Sequence, residues 1–408
     1  MTPEADQRKN RISDRSGRDR NARNCDVQPP LRNYNNLMKQ ISQRRTLAAV
    51  IALFSALAIS SDVLATDVTW VGLGANNRYA TVLNWSSGVV PASTSTSDVI
   101  FIGNNGTLYR TIDTSAFSPG LRNVASIRFN AASGANGFTF IANLVTTHTA
   151  YGFQVGAGGI VNNDDDVQTF DNPMRLFANQ TWNAASGGLT FSGNFVNKAT
   201  VPVLNNTTAT PFTLTIDGGQ NTTLGSAGQP GIIAGLIGIT QNGAGTLTLG
   251  GTAANTFSGV NRINAGSIVA AKPAALGSGN ALVASGGTFD TGGLNQTLGT
   301  LDLDGSLTLD LASGASAVSF ANSSAIDWST FNLNILNWTD GTDTLRFGND
   351  NTGLTAGQLG LINFTDIAGS HAEINTSGFV FAVVPEPGTA TLLVLGFAGL
   401  FIRRRMGR

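Results

Sequence analysis

Short runs in which apolar and polar residues alternate strictly, each closed by glycine, constrain this chain more than any other feature. Leu301-Asp302-Leu303-Asp304 alternates, Gly305-Ser306 turns, and Leu307-Thr308-Leu309-Asp310-Leu311 alternates again. Thr246-Leu247-Thr248-Leu249 and Phe331-Asn332-Leu333-Asn334-Ile335 repeat the pattern. A period of two with glycine punctuation is the signature of strands buried on one face. Each run offers only two or three apolar residues to that face. One such strand cannot hold itself; many stacked side by side build one continuous core. The filler agrees. Glycine supplies 49 of 408 residues and charged residues only 12%. Glycine and asparagine tolerate the positive φ of tight turns, and the same composition is poor for long helices. The expectation is an all-β body.

The net charge of −1 averages unlike pieces. Residues 1–45 hold eleven basic and five acidic groups, and the last six residues hold four arginines. Between Thr66 and Val384 there are nine Lys and Arg against eighteen Asp and Glu. That acidic body has no basic stripe for nucleic acid. The single cysteine, Cys25, precedes it. The body therefore has no disulfide, zinc thiolate or cysteine nucleophile.

Residues 46–59, TLAAVIALFSALAI, form an apolar run preceded by Arg44-Arg45 and followed by Val63-Leu64-Ala65. Basic, apolar and then small residues make the three-part layout of a secretory signal helix, with cleavage between Ala65 and Thr66. Residues 1–37 are polar, Arg-rich and aperiodic, the composition of disorder. Met38 opens an ordinary signal, so 38–65 reads as the signal peptide and 1–37 as an over-extended start.

The other end reads VPEPGTATLLVLGFAGLFIRRRMGR over 384–408. Its uncharged run, 389–402, would span roughly 21 Å as a helix, short of the ~30 Å hydrocarbon core. Arg403, Arg404 and Arg405 would hold its far end on the cytoplasmic side as the 403–408 tail. Pro385 and Pro387 stop a helix from extending toward the body. The order Pro385-Glu386-Pro387, apolar helix and arginine cluster resembles the PEP-CTERM sorting signal of bacterial surface proteins. The resemblance implies recognition by exosortase, a membrane transpeptidase-like protease, with Pro385, Glu386 and Pro387 as a substrate element. It further implies a membrane-anchored precursor and then release to the cell surface or extracellular matrix of an exopolysaccharide-producing bacterium. Signal peptidase and exosortase are the implied processing partners, with passage through the inner membrane.

Residues 240–271 resemble the autotransporter-associated β-strand repeat. The likeness rests on Gly243-Ala244-Gly245-Thr246-Leu247-Thr248-Leu249, Asn255-Thr256-Phe257-Ser258-Gly259 and Asn264-Ala265-Gly266, with echoes at Gly187–Val196 and Gly286–Leu301. Ser267-Ile268 stands where that family usually has leucine. The resemblance implies a right-handed parallel β-helix with Leu247, Leu249, Phe257, Ile263 and Ile268 inward and Asn and Thr in ladders or turns. Residues 68–101, with Trp70, Trp85 and Pro91, resemble the opening unit of such proteins. The resulting layout is a cap and first coils over 66–145, a solenoid over 146–377 with a final coil or cap near 338–364, and a linker over 378–388. An autotransporter barrel is not expected, since no run of long alternating strands follows.

No site motif stands out. His148 and His371 lie far apart and outside any ligand spacing. Glu373 is the one glutamate between Thr66 and Val384, so a glycosidase pair would need aspartates. Asp164-Asp165-Asp166 is the densest carboxylate run; it reads as a solvated loop, with a hard cation such as calcium as the alternative. Gly156-Ala157-Gly158-Gly159 lacks the GK[ST] of a phosphate loop. The five tryptophans read as packing, with sugar stacking as the alternative. The basic groups that a polysaccharide lyase would need are sparse: Arg175, Lys198 and Arg262. The expected function is that of a non-enzymatic, cofactor-free surface or matrix protein, structural or adhesive. The alternative is a carbohydrate-binding or polysaccharide-degrading β-helix acting on exopolysaccharide.

Overall fold

The computed structural model describes residues 66–93, 97–102, 109–115, 121–131, 136–141, 152–193 and 202–385. The signal segment 38–65, the apolar run 389–402, Glu386, Pro387, the arginine triplet, His148 and Lys198 lie outside them.

The described chain is nearly all β, in sheets of 14, 11 and 5 strands. Its strands are short, mostly three to six residues, as the thin alternating runs require. The chain visits the sheets in turn and comes back beside itself. From Thr246–Leu249 in the 11-stranded sheet it passes through Thr256–Phe257 and Asn261–Ile263 in the 14-stranded sheet. It returns at Ser267–Ala270, parallel to Thr246–Leu249, with Thr246 opposite Ser267. Ser267 then lies opposite Thr288, and Thr288 opposite Thr308. Each circuit here takes 20 or 21 residues. Long parallel ladders built this way are consistent with a β-solenoid.

Side chains alternate across each wall as the pattern requires. Leu247, Leu249, Ile263 and Ile268 are fully buried and Phe257 is 3% exposed. One inward file runs through Ile112, Phe140, Phe170, Phe191, Leu224 and Leu249 in register. The alternation at Leu301, Leu303, Leu307, Leu309, Leu333 and Ile335 is likewise strand with every apolar residue buried.

Asparagine both steps between circuits, as where Asn363 Nδ2 donates to Asn334 Oδ1 of the paired strand, and closes corners. Asn206 Nδ2 donates to the Thr210 and Leu236 carbonyls at 2.7 and 2.8 Å, and Asn280 Nδ2 to those of Phe257 and Leu276 at 2.9 and 3.0 Å. Buried amides thus satisfy carbonyls that a turn leaves without a sheet partner. The glycine run at 156–159 has a structural role. It sits where strand Phe153–Asn162 bends, with a register shift opposite Val124 and Ser126. Past the bend the partner strands diverge: Met174–Leu176 pairs with the first half and Gln180–Ala184 with the second. Gly159 has φ +64°, and a Cβ there would run into the Thr181 carbonyl.

The two ends of the described chain are finished differently. At the start, Trp70 and Trp85 meet edge to face at 5.1 Å, Tyr79 packs on Trp85 at 4.6 Å, and the Trp85 indole donates to the Tyr79 carbonyl. The loop after strand Thr66–Trp70 folds back so that Ser86 N donates to the Thr69 carbonyl, covering part of an open edge. At the far end a hairpin, His371–Ile374 and Phe379–Val383, pairs antiparallel with Thr344–Phe347. All other pairs between described strands are parallel. Strand Phe379–Val383 corrects the linker expected over 378–388, because its first residues continue the sheet.

Candidate functional site

Strand Phe379–Val383 delivers the chain to the sorting element. Proline has no N–H to donate to a ladder, so Pro385 cannot continue a paired strand. Val384 is 55% exposed and Pro385 is exposed. The element therefore begins on the surface, directly after the last hydrogen-bonded residue of the hairpin. Of the expected processing residues, Pro385 ends the described chain and Thr66 opens its first strand; Ala65, Glu386, Pro387, Arg403, Arg404 and Arg405 lie outside the described residues.

The acidic run forms a turn after Phe153–Asn162. Its three carboxylates have oxygens within 4.8 Å of one another, a donor set that could hold a hard cation. Two of them are already engaged, one by the turn itself and one by a distant segment of the chain. Asp164 Oδ1 accepts from Asp166 N at 3.0 Å, and Asp166 Oδ2 from Asn136 N at 2.8 Å. The Asn162 side chain organises the rest, accepting from Asp164 N and donating to the carbonyls of Asp166 and Gly188. Burial pushes the Asp164 carboxyl up, against the pull of the Asp166 amide.

A second charged group, which the alternation obscured, sits on the outer face of the 14-stranded sheet. Arg262 pairs with Val283, and Val283 with Asp302. Two ladder steps of ~4.8 Å therefore separate an arginine from a carboxylate on one wall. Burial, together with the neighbouring Asp304 and Asp327, raises the Asp302 carboxyl, and Arg262 opposes the rise. Asp327 also lines an open cleft of about 400 Å³ with Ser324, Ser329, Thr355 and Gln358. Arg175 is not part of this group; it lies on the other branch of the sheet.

None of the tryptophans offers a ring face to a ligand. Trp70, Trp85, Trp182 and Trp328 are at most 2% exposed and Trp338 is 8% exposed. Trp328 touches the cleft only from beneath and donates its indole N–H to the Leu301 carbonyl. His371 stands on the exposed hairpin, 3.2 Å from Glu373.

No curated protein and no solved structure matches this chain. Among known families, residues 383–405 match the PEP-CTERM protein-sorting motif, beginning on the last residue of the closing hairpin. That match marks the chain as an exported surface protein, processed by exosortase from a membrane-anchored precursor.

Proposed function

We propose that the body is a right-handed parallel β-helix delivered to the cell surface or matrix, where it acts as a structural or adhesive element without catalysis. The observation that carries this reading is the position of the sorting motif. It starts where the ordered ladder ends, so cutting within the motif would release the packed body whole. The acidic surface and the absence of thiols from Thr66 onward suit an extracellular product. The likeness of residues 240–271 to the autotransporter-associated repeat supports the helical winding, and the pairing of Thr246 with Ser267 agrees with it.

Mass spectrometry of the C-terminus of the mature surface protein tests the reading. A terminus within or just before Pro385-Glu386-Pro387 is the expected result. An intact tail ending at Arg408 on surface-exposed protein would sink it. Replacing Arg403, Arg404 and Arg405 together by glutamine should leave the precursor uncut in the membrane fraction.

A second reading, action on exopolysaccharide, is favoured by Arg262 and Asp302 on one wall, with Asp304 and Asp327 close enough to act on Asp302 and Asp327 lining the cleft. Binding to a polysaccharide panel that is lost on Asp302→Asn and Asp327→Asn, but kept on Trp328→Phe, would place the interaction there.

A further inference from the structure

Lys272 is the one lysine among the described residues, and it is buried to 2% exposure in the interior. A buried lysine ordinarily has a carboxylate partner. Here Nζ is held by two neutral oxygens, the Gly231 carbonyl at 2.6 Å and Asn255 Oδ1 at 2.7 Å. An ammonium carries three N–H groups and an amine two. Two acceptors match the amine and leave its lone pair free. Burial acts in the same direction, bringing Lys272 from its ordinary 10.5 to about 7.

Asn255, 4% exposed, is arranged as the complementary electrophile. Its Oδ1 also accepts from Ile233 N at 2.9 Å, and its Nδ2 donates to the Ala275 carbonyl at 2.6 Å. These contacts fix which side-chain atom is oxygen, since an NH₂ in its place would face two donors. The Ile233 N–H is a preset donor for negative charge developing on that oxygen. A desolvated amine pressed against a polarised amide, both held in a packed interior, has the features that activate a lysine nucleophile and cut the entropic cost of reaction.

We propose that Lys272 and Asn255 condense into an intramolecular isopeptide bond that ties adjacent circuits of the chain. The Nζ lone pair attacks Cγ, a new Nζ–Cγ bond forms, and the Cγ–Nδ2 bond breaks. One proton passes from Nζ to the departing nitrogen, which leaves as ammonia. Nothing is oxidised or reduced and no co-reactant is needed. The product retains the contacts that held the reactants: the remaining Nζ–H donates to the Gly231 carbonyl, and the amide oxygen accepts from Ile233 N.

The sequence makes the test direct. Trypsin cuts after Lys198, Arg262 and Arg346, and Pro273 protects the Lys272 bond. Asn255 and Lys272 therefore fall in different peptides, 199–262 and 263–346. Digestion of the full chain purified in its folded state should give one branched peptide, lighter than the two peptides together by one ammonia, with its junction at residues 255 and 272 on fragmentation. Lys272→Arg, which keeps donors but removes the nucleophile, and Asn255→Leu should each give two separate peptides. Recovery of both peptides separately and unmodified from the wild-type protein would overturn the proposal, whether or not either variant folds. A branched peptide that persists in Lys272→Arg would overturn it as well.

Discussion

The first half of the described body and the circuits between residues 237 and 311 solve the same packing problem with different side chains. One early wall is wide: in the 14-stranded sheet, strands Arg122–Asn130 and Phe153–Asn162 run nine and ten residues, while the 11-stranded sheet keeps strands of three or four. Later walls have strands of two to five residues. A wider cross-section needs bulkier filling to reach the density of a protein interior. The early core is accordingly aromatic. Phe140, Phe170 and Phe191 stack at 4.7 and 4.8 Å with planes within 10°, and Trp182 lies 4.1 Å from Phe191. The later core is leucine and isoleucine, with Phe257 and Phe289 as its aromatic members. Regularity follows the same division. Facing residues are 21 apart from Thr169 to Thr190 and 33 apart from Thr190 to Thr223, but a steady 20 or 21 apart from Thr246 through Ser267 and Thr288 to Thr308. Uniform circuits go with uniform small side chains, and irregular ones with large rings that fill an uneven bore.

The largest effect should come from breaking the aromatic file. Phe170→Ala removes the middle ring of the stack and should cost about 3–5 kcal/mol, read as a fall in the urea midpoint. In the regular circuits, Leu247→Ala should cost less, roughly 2–4 kcal/mol, because a narrow bore leaves a smaller cavity. If Leu247→Ala proved the costlier, the link between wall width and side-chain size would fail. Gly245→Ala tests how closely the regular circuits stack. A Cβ there would run into the Gln220 carbonyl one circuit back, for about 1–3 kcal/mol by the same assay. A separate, pH-dependent effect belongs to Asn255→Ala, in which no bond to residue 255 can form and Lys272 stays an amine. A lysine whose folded value is lowered from 10.5 to about 7 is more readily protonated in the unfolded chain. Its contribution to stability is therefore complete above about 10.5 and is lost as the pH falls through about 7. Urea midpoints of this variant should rise from pH 7 to pH 10. A flat profile would show that the amine is not desolvated.

Much of the architecture was legible because alternation is local. Leu301, Leu303, Leu307 and Leu309 announce their strand and their inward face without help from the rest of the chain. Which strand each one meets was not legible, because pairing depends on circuit length, and that changes from loop to loop. The closing hairpin escaped notice because Phe379–Val383 is apolar on both sides of the alternation and reads like the approach to a linker. Lys272 and Asn255 were also invisible as a pair. Seventeen residues separate them, and only the return of the chain brings the amine to the amide. The grouping of Arg262, Asp302 and Asp327 was hidden for the same reason. The sorting motif was fully legible, since its three parts are contiguous and act as a linear signal.

The closing hairpin has a mechanical consequence. Val383 is its last paired residue and Pro385 is the first proline of the recognition element, so the leash between packed body and cutting region is two residues long. At ~3.5 Å per residue it spans less than about 10 Å. A processing enzyme must work against the face of the folded body, and a load on the released end would be borne first by strand Phe379–Val383. That strand is paired antiparallel with His371–Ile374 on one side and, through Phe379 and Val380, with Thr344–Phe347 on the other. Were the released end to be attached to anything, this hairpin would be the first part of the body to feel the load.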